Sequence, residues 1–116
     1  MKDSFVVFES QNKTVKINVH EIVAVACEGA CITIHYSAEL KTFKFSKSLV
    51  HIEDVLTKFD SCTWLRTNRN SIVSLNKVEI LDKRNRKIIM QGGLELTVSV
   101  RQLPLVNKMI KEKLLL

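Results

Sequence analysis

The sequence predicts a mainly β fold, an elongated antiparallel β-sandwich of short strands with one helix near 48–59 and a short C-terminal helix. Three observations predict it. Apolar and polar residues alternate at a spacing of two in the first part of the chain, the spacing turns helical across Ser48–Phe59, and Gly92-Gly93 separates two strand-like runs as a hairpin turn does.

Taken in order, Ser4–Phe8 and Thr14–Val19 read as strands, the second with Val15, Ile17 and Val19 on one face and Lys16 and Asn18 on the other. Ile22–Cys27, Cys31–Tyr36 and Leu40–Phe45 continue a meander, broken at Glu28-Gly29-Ala30 and Ser37-Ala38-Glu39 by short polar and small residues. In Ser48–Phe59 the apolar positions are Leu49, Ile52, Val55, Leu56 and Phe59, one helical stripe preceded by a serine able to cap the first turn.

Thr63–Arg66, Ser71–Ser74, Val78–Asp82, Arg86–Gln91 and Leu94–Ser99 are strand-like in length and β-branched content. Gly92 and Gly93 supply the positive φ angles of a primed two-residue turn. A second turn at 82–87 carries Lys83, Arg84, Arg86 and Lys87, which contact either backbone phosphates or only water. Pro104 suits a first helical turn, and Leu105, Val106, Met109, Ile110 and Leu114 then form a helical stripe.

The 116 residues amount to one domain, 1–116, able to bury a core without metals or disulfides. No apolar run approaches the length of a membrane span and no leader opens the chain, which points to a cytoplasmic protein. Cys27, Cys31 and Cys62 lack metal-ligand spacing among themselves and with His20, His35 and His51, so no metal or other cofactor is expected; they read as reduced thiols. Cys27 and Cys31 flank one turn, close enough in sequence for a cross-hairpin disulfide to be conceivable. There is no nucleophile triad, paired catalytic carboxylates, phosphate loop or dinucleotide fingerprint, so neither an enzyme nor a small-molecule substrate is expected.

Charge is uneven. Residues 1–58 hold seven Lys, no Arg and seven acids, whereas 59–116 hold six Lys, five Arg and five acids, so the whole net charge of +6 lies in the second half. A basic half opposite a neutral one suits a polyanionic partner. Arg66 and Arg69, with Asn68 and Asn70 between and beside them, stand just before the apolar run at Ile72, and Arg101 follows the last strand. Guanidinium forks at the ends of rigid strands suit phosphates and guanine edges. Arg66 reads first as a surface residue paired with an acid, and Trp64 as core rather than a stacking platform, because no second aromatic stands nearby.

These residues resemble the LytTR family, the DNA-binding output domain of bacterial two-component response regulators. The resemblance covers about 20–112. It rests on Leu65-Arg66-Thr67-Asn68-Arg69-Asn70-Ser71-Ile72-Val73-Ser74, then Val78, the Gly92-Gly93 turn and Val98-Ser99-Val100-Arg101 leading into the last helix. It implies a β architecture whose loops, rather than a recognition helix, enter the major groove of double-stranded DNA. Carried over position by position, it implies base contacts from Arg69 and Arg101. Neighbouring phosphate or register contacts would come from Asn68, Asn70, Ser99 and Gln102, and two copies of the chain would sit on paired promoter repeats.

The sequence departs from the family pattern at Asn68, where His is common, at Asn70 for Ser and at Ser74 for Asn. The turn at Glu28-Gly29-Ala30-Cys31 offers a carboxylate and no donor side chain for bases. The competing expectation is a non-catalytic protein-interaction module on the same fold that modulates a related regulator.

Overall fold

Whether a strand reads as alternating or continuously apolar depends on how many of its faces are covered, and that distinction organises this molecule. The structure, a computed structural model, describes residues 4–10, 12–37, 41–45, 48–59 and 63–114. Cys62, residues 38–39 of the expected turn, Leu40 at the start of the expected fifth strand and the last two leucines lie outside them.

The elements run β1 (Phe5–Glu9), β2 (Thr14–Asn18), β3 (Ile22–Glu28), β4 (Cys31–Tyr36), β5 (Lys41–Phe45), α1 (Leu49–Leu56), β6 (Trp64–Asn68), β7 (Ser71–Ser74), β8 (Val78–Asp82), β9 (Lys87–Met90), β10 (Glu95–Thr97) and α2 (Leu103–Leu114). Every strand pairing is antiparallel. β1 and β2 form a ribbon, β10-β9-β8 a three-stranded sheet, and β5-β4-β3-β7-β6 a central five-stranded sheet. The principal extents are 42 × 37 × 25 Å.

The central sheet is covered on both faces, and β3 shows why its sequence does not alternate. Cross-strand partners share a face. Val25 pairs with Ile72 and faces one core, whereas Ala24 pairs with Val73 and faces the other. The first core adds Val6, Phe8 and Ile17 of the ribbon to Leu49, Ile52 and Leu56 of α1. The second packs Ile88, Met90, Val98 and Val106 against Leu65, Leu75 and Val73. Trp64 packs against the first core, as a core residue does.

Ser48 caps α1, its side chain accepting from the His51 backbone N–H at 3.1 Å. The helix is shorter than 48–59. After Leu56 the bonds tighten, with Lys58 N–H donating to the Val55 carbonyl and Phe59 N–H to that of Leu56, which turns Phe59 inward against the core.

Gly92 and Gly93 both adopt positive φ, at 88° and 89°, as expected, but the hairpin is one residue longer than a primed two-residue turn. Met90 N–H bonds the Leu94 carbonyl, leaving Gln91, Gly92 and Gly93 in the loop. Helical backbone at Gln91 followed by left-handed glycine gives the three-residue solution. Cys27 and Cys31 are both free thiols. Cys27 pairs with Ile32 and Cys31 with Glu28, so the pleat sends the two thiols to opposite faces and no cross-hairpin bridge can form.

Candidate nucleic-acid interface

Three chain segments far apart in sequence converge on one groove: the end of β3, the Arg69-Asn70 turn joining β6 to β7, and residues 95–102 leading from β10 into α2. Their convergence is held by backbone bonds between elements. Cys27 N–H donates to the Asn70 carbonyl at 2.7 Å, and Ser99 N–H to the Thr67 carbonyl at 2.9 Å. The groove they enclose has a volume of about 860 Å³. Asn68, Arg69, Asn70, Ser99, Arg101 and Gln102, the six residues expected to contact DNA, all line it.

The β6–β7 turn is shaped by Asn68. Its Oδ1 accepts from Asn70 N–H at 2.6 Å, an Asx turn that lets a two-residue connection close without positive φ at Arg69 or Asn70. Its Nδ2 donates to the Thr97 carbonyl at 2.6 Å, tying the turn to β10. Beneath it, the buried hydroxyls of Thr67 and Ser71 bond each other across the hairpin.

The second turn is organised in the same manner. Ser99 Oγ accepts from Gln102 N–H at 3.1 Å, and the Ser99 carbonyl accepts from Leu103 N–H at 3.0 Å, which starts α2. Gln102 Nε2 reaches across to the Arg66 carbonyl at 3.1 Å. Asn68 and Gln102 therefore use their side chains to join the two turns, while the Ser99 hydroxyl braces its own turn.

Arginines 66 and 69 lie three residues apart on one hairpin and have different fates. Arg66 is tied: its Nε and Nη2 donate to Glu53 Oε1 of α1 at 3.3 and 3.1 Å, and Nη1 donates to the Arg69 carbonyl at 3.0 Å. It pairs with an acid, as its sequence position implies, and fixes the turn that presents Arg69. Arg69 and Arg101 are exposed, and neither guanidinium has a hydrogen-bond or ion-pair partner among the described residues.

Glu53 and Glu95 gave no sign in the sequence of belonging near this site. Glu53 occupies a polar position of an amphipathic helix, and only the packing of α1 brings it to Arg66. Glu95 lines the groove and pairs with Lys87 at 3.5 Å. Glu28, the last residue of β3, also lines the groove; burial lowers the pKa of His35 below its ordinary range, although Glu28 opposes the shift. The groove thus sets free guanidiniums beside two carboxylates. Among the described residues no three His, Cys, Asp or Glu side chains gather to hold a metal ion. No helix among them is long and apolar enough to cross a membrane.

Residues 12–111 match the family model of the LytTr DNA-binding domain. Among solved structures, the fold matches the LytTr DNA-binding domain of a Bacillus cereus protein described as a methyl-accepting/DNA response regulator. The TM-score is 0.73 at 17% identity, over 94% of this chain and 98% of that one, and at that identity the likeness shows the fold. No functionally curated protein matches the chain.

Proposed function

The chain belongs to the LytTR family of DNA-binding domains, and on that footing we propose that it is a sequence-specific transcription regulator whose Arg69 and Arg101 turns read base edges in the major groove of double-stranded promoter DNA. The observation that carries this reading is the pairing in one groove of two guanidiniums without a partner among the described residues, each on a turn braced by side-chain hydrogen bonds. A guanidinium fork takes N7 and O6 of guanine together, and each good pair discriminates by about 1–3 kcal/mol. Bracing limits the rotamer and backbone entropy lost on binding.

Roles then divide among the six residues. Arg69 and Arg101 read bases. Asn70, exposed beside Arg69, donates to a phosphate oxygen and fixes register. Asn68, Ser99 and Gln102 act as positioning residues: the side chains of Asn68 and Gln102 join the two turns, and the Ser99 hydroxyl braces the turn that bears Arg101. One chain presents one such groove, so a pair of direct repeats would be occupied by two copies.

Selection of binding sites from a random duplex pool, with the Arg69→Ala/Arg101→Ala double variant run in parallel, tests this reading. The wild type is expected to enrich a motif that the variant loses. No enrichment, with equal weak retention of both proteins, would instead favour a protein-interaction module on the same fold.

A further inference from the structure

Outside the groove, the densest charge among the described residues sits on the β8–β9 hairpin, whose tip carries Lys83, Arg84, Arg86 and Lys87, all exposed. We propose that this tip is a phosphate clamp, with Lys83, Arg84 and Arg86 gripping the DNA backbone beside the groove and extending the footprint past the base-reading turns. The inference rests on the DNA-binding reading and adds a second contact region to it.

Attachment is the first ground. β9 pairs with β10, whose Glu95, Leu96 and Thr97 form a wall of the groove. Past the end of that ladder, Val98 N–H donates to the Arg86 carbonyl at 2.8 Å. The tip is therefore bonded to the segment that continues into Arg101, so the tip and that turn are held to one another through the same strand end.

The second ground is that the tip is held in shape. Asp82 Oδ1 accepts from Asn85 N–H at 3.1 Å and Oδ2 from Asn85 Nδ2 at 2.8 Å. Arg86 stands in left-handed backbone at φ 53°, which a residue with a side chain keeps only where its surroundings hold it. A tip held in shape loses less conformational entropy when it meets a phosphate backbone.

The third ground is the availability of charge. The Asp82 carboxylate is engaged by Asn85, and Glu95 pairs with Lys87. The side-chain cations of Lys83, Arg84 and Arg86 have no hydrogen-bond or ion-pair partner among the described residues. They stand on a convex tip with no aromatic residue for stacking a base, so the chemistry they offer is that of point charges and forks for phosphodiester oxygens.

The test measures salt-dependent binding and hydroxyl-radical footprints on a selected duplex for the wild type and for Lys83→Gln/Arg84→Gln. Neither substituted position has positive φ, so the turn should survive, and an unchanged thermal midpoint checks that. Because each neutralised phosphate adds roughly 0.9 to the slope of log K against log salt, the variant should flatten that slope by about 1.8 and weaken all sequences by one common factor. Its footprint should retract on one flank while the selected motif stays the same. An unchanged slope and footprint, or an altered motif, would overturn the clamp. If the wild type itself selected no motif and bound without salt dependence, the DNA-binding reading would fall, and the clamp with it.

Discussion

The two faces of the central sheet bury comparable apolar cores and support different things. The first face, with α1 and the β1–β2 ribbon, is packing almost throughout; it reaches the groove through Cys27 and the Glu53–Arg66 ion pair. The second face carries the three-stranded sheet and α2, and its core residues Val98 and Val106 lie directly under the segment that bears Arg101. One face sets stability and the other also sets where the guanidiniums stand, so mutations on the two should separate folding from recognition.

The largest effect should come from the first face. Ile72→Ala removes a fully buried side chain paired with Val25 and should cost about 2–5 kcal/mol of folding stability, read by denaturant titration. The affinity of the remaining folded protein for DNA should stay as it was. A matching loss of affinity at saturating folded fraction would break the proposed separation.

Removing either free arginine should show the reverse. Arg69→Ala and Arg101→Ala should each weaken specific DNA binding by about 1–3 kcal/mol, and each should change stability by less than about 0.5 kcal/mol because both side chains are exposed. Isothermal titration against a selected duplex, beside a thermal melt, reads both quantities.

Asn68→Ala lies between these cases. It deletes the Asx bond and the tie to Thr97, at about 0.5–1.5 kcal/mol per hydrogen bond, and loosens the turn bearing Arg69. Specific binding should fall more than binding to random duplex. Equal losses on both would argue that Asn68 contacts phosphate rather than positioning the turn.

The smallest effect expected is on pH. Burial lowers the pKa of His35 below its ordinary value of 6.5, with Glu28 opposing and Lys44 reinforcing the shift. In the window just below that value the unfolded chain binds the proton more readily than the folded one, so stability should rise as pH increases toward 6.5. His35→Gln should flatten that segment of the stability curve, measured by melts at stepped pH, and leave DNA selectivity unchanged.

Much of this architecture can be read in the sequence because strands and helices leave periodic marks. Ser71–Ser74 and Val78–Asp82 emerge with the boundaries expected of them, and the Ser48 cap with its apolar stripe marks α1. The motif around Arg69 and Arg101 likewise points to both turns. The use of each side chain leaves no such mark. Asn68, Ser99 and Gln102 read equally well as donors to DNA, and only the register between β6, β10 and α2 brings Asn68 and Gln102 to backbone partners in distant segments. The Arg66–Glu53 pair depends on helix packing, which local periodicity does not encode. The glycine loop shows a finer limit: two glycines announce positive φ but do not count the residues between the closing pair.

The central claim is that two separately braced turns each read their own base pair. Competition binding against a selected duplex, with every base pair substituted in turn, tests it for the wild type, Arg69→Ala and Arg101→Ala. Each variant should lose discrimination at a different guanine-bearing position and keep it at the other. A uniform loss across specific, substituted and random duplexes would contradict the claim and reduce both arginines to sequence-independent charge.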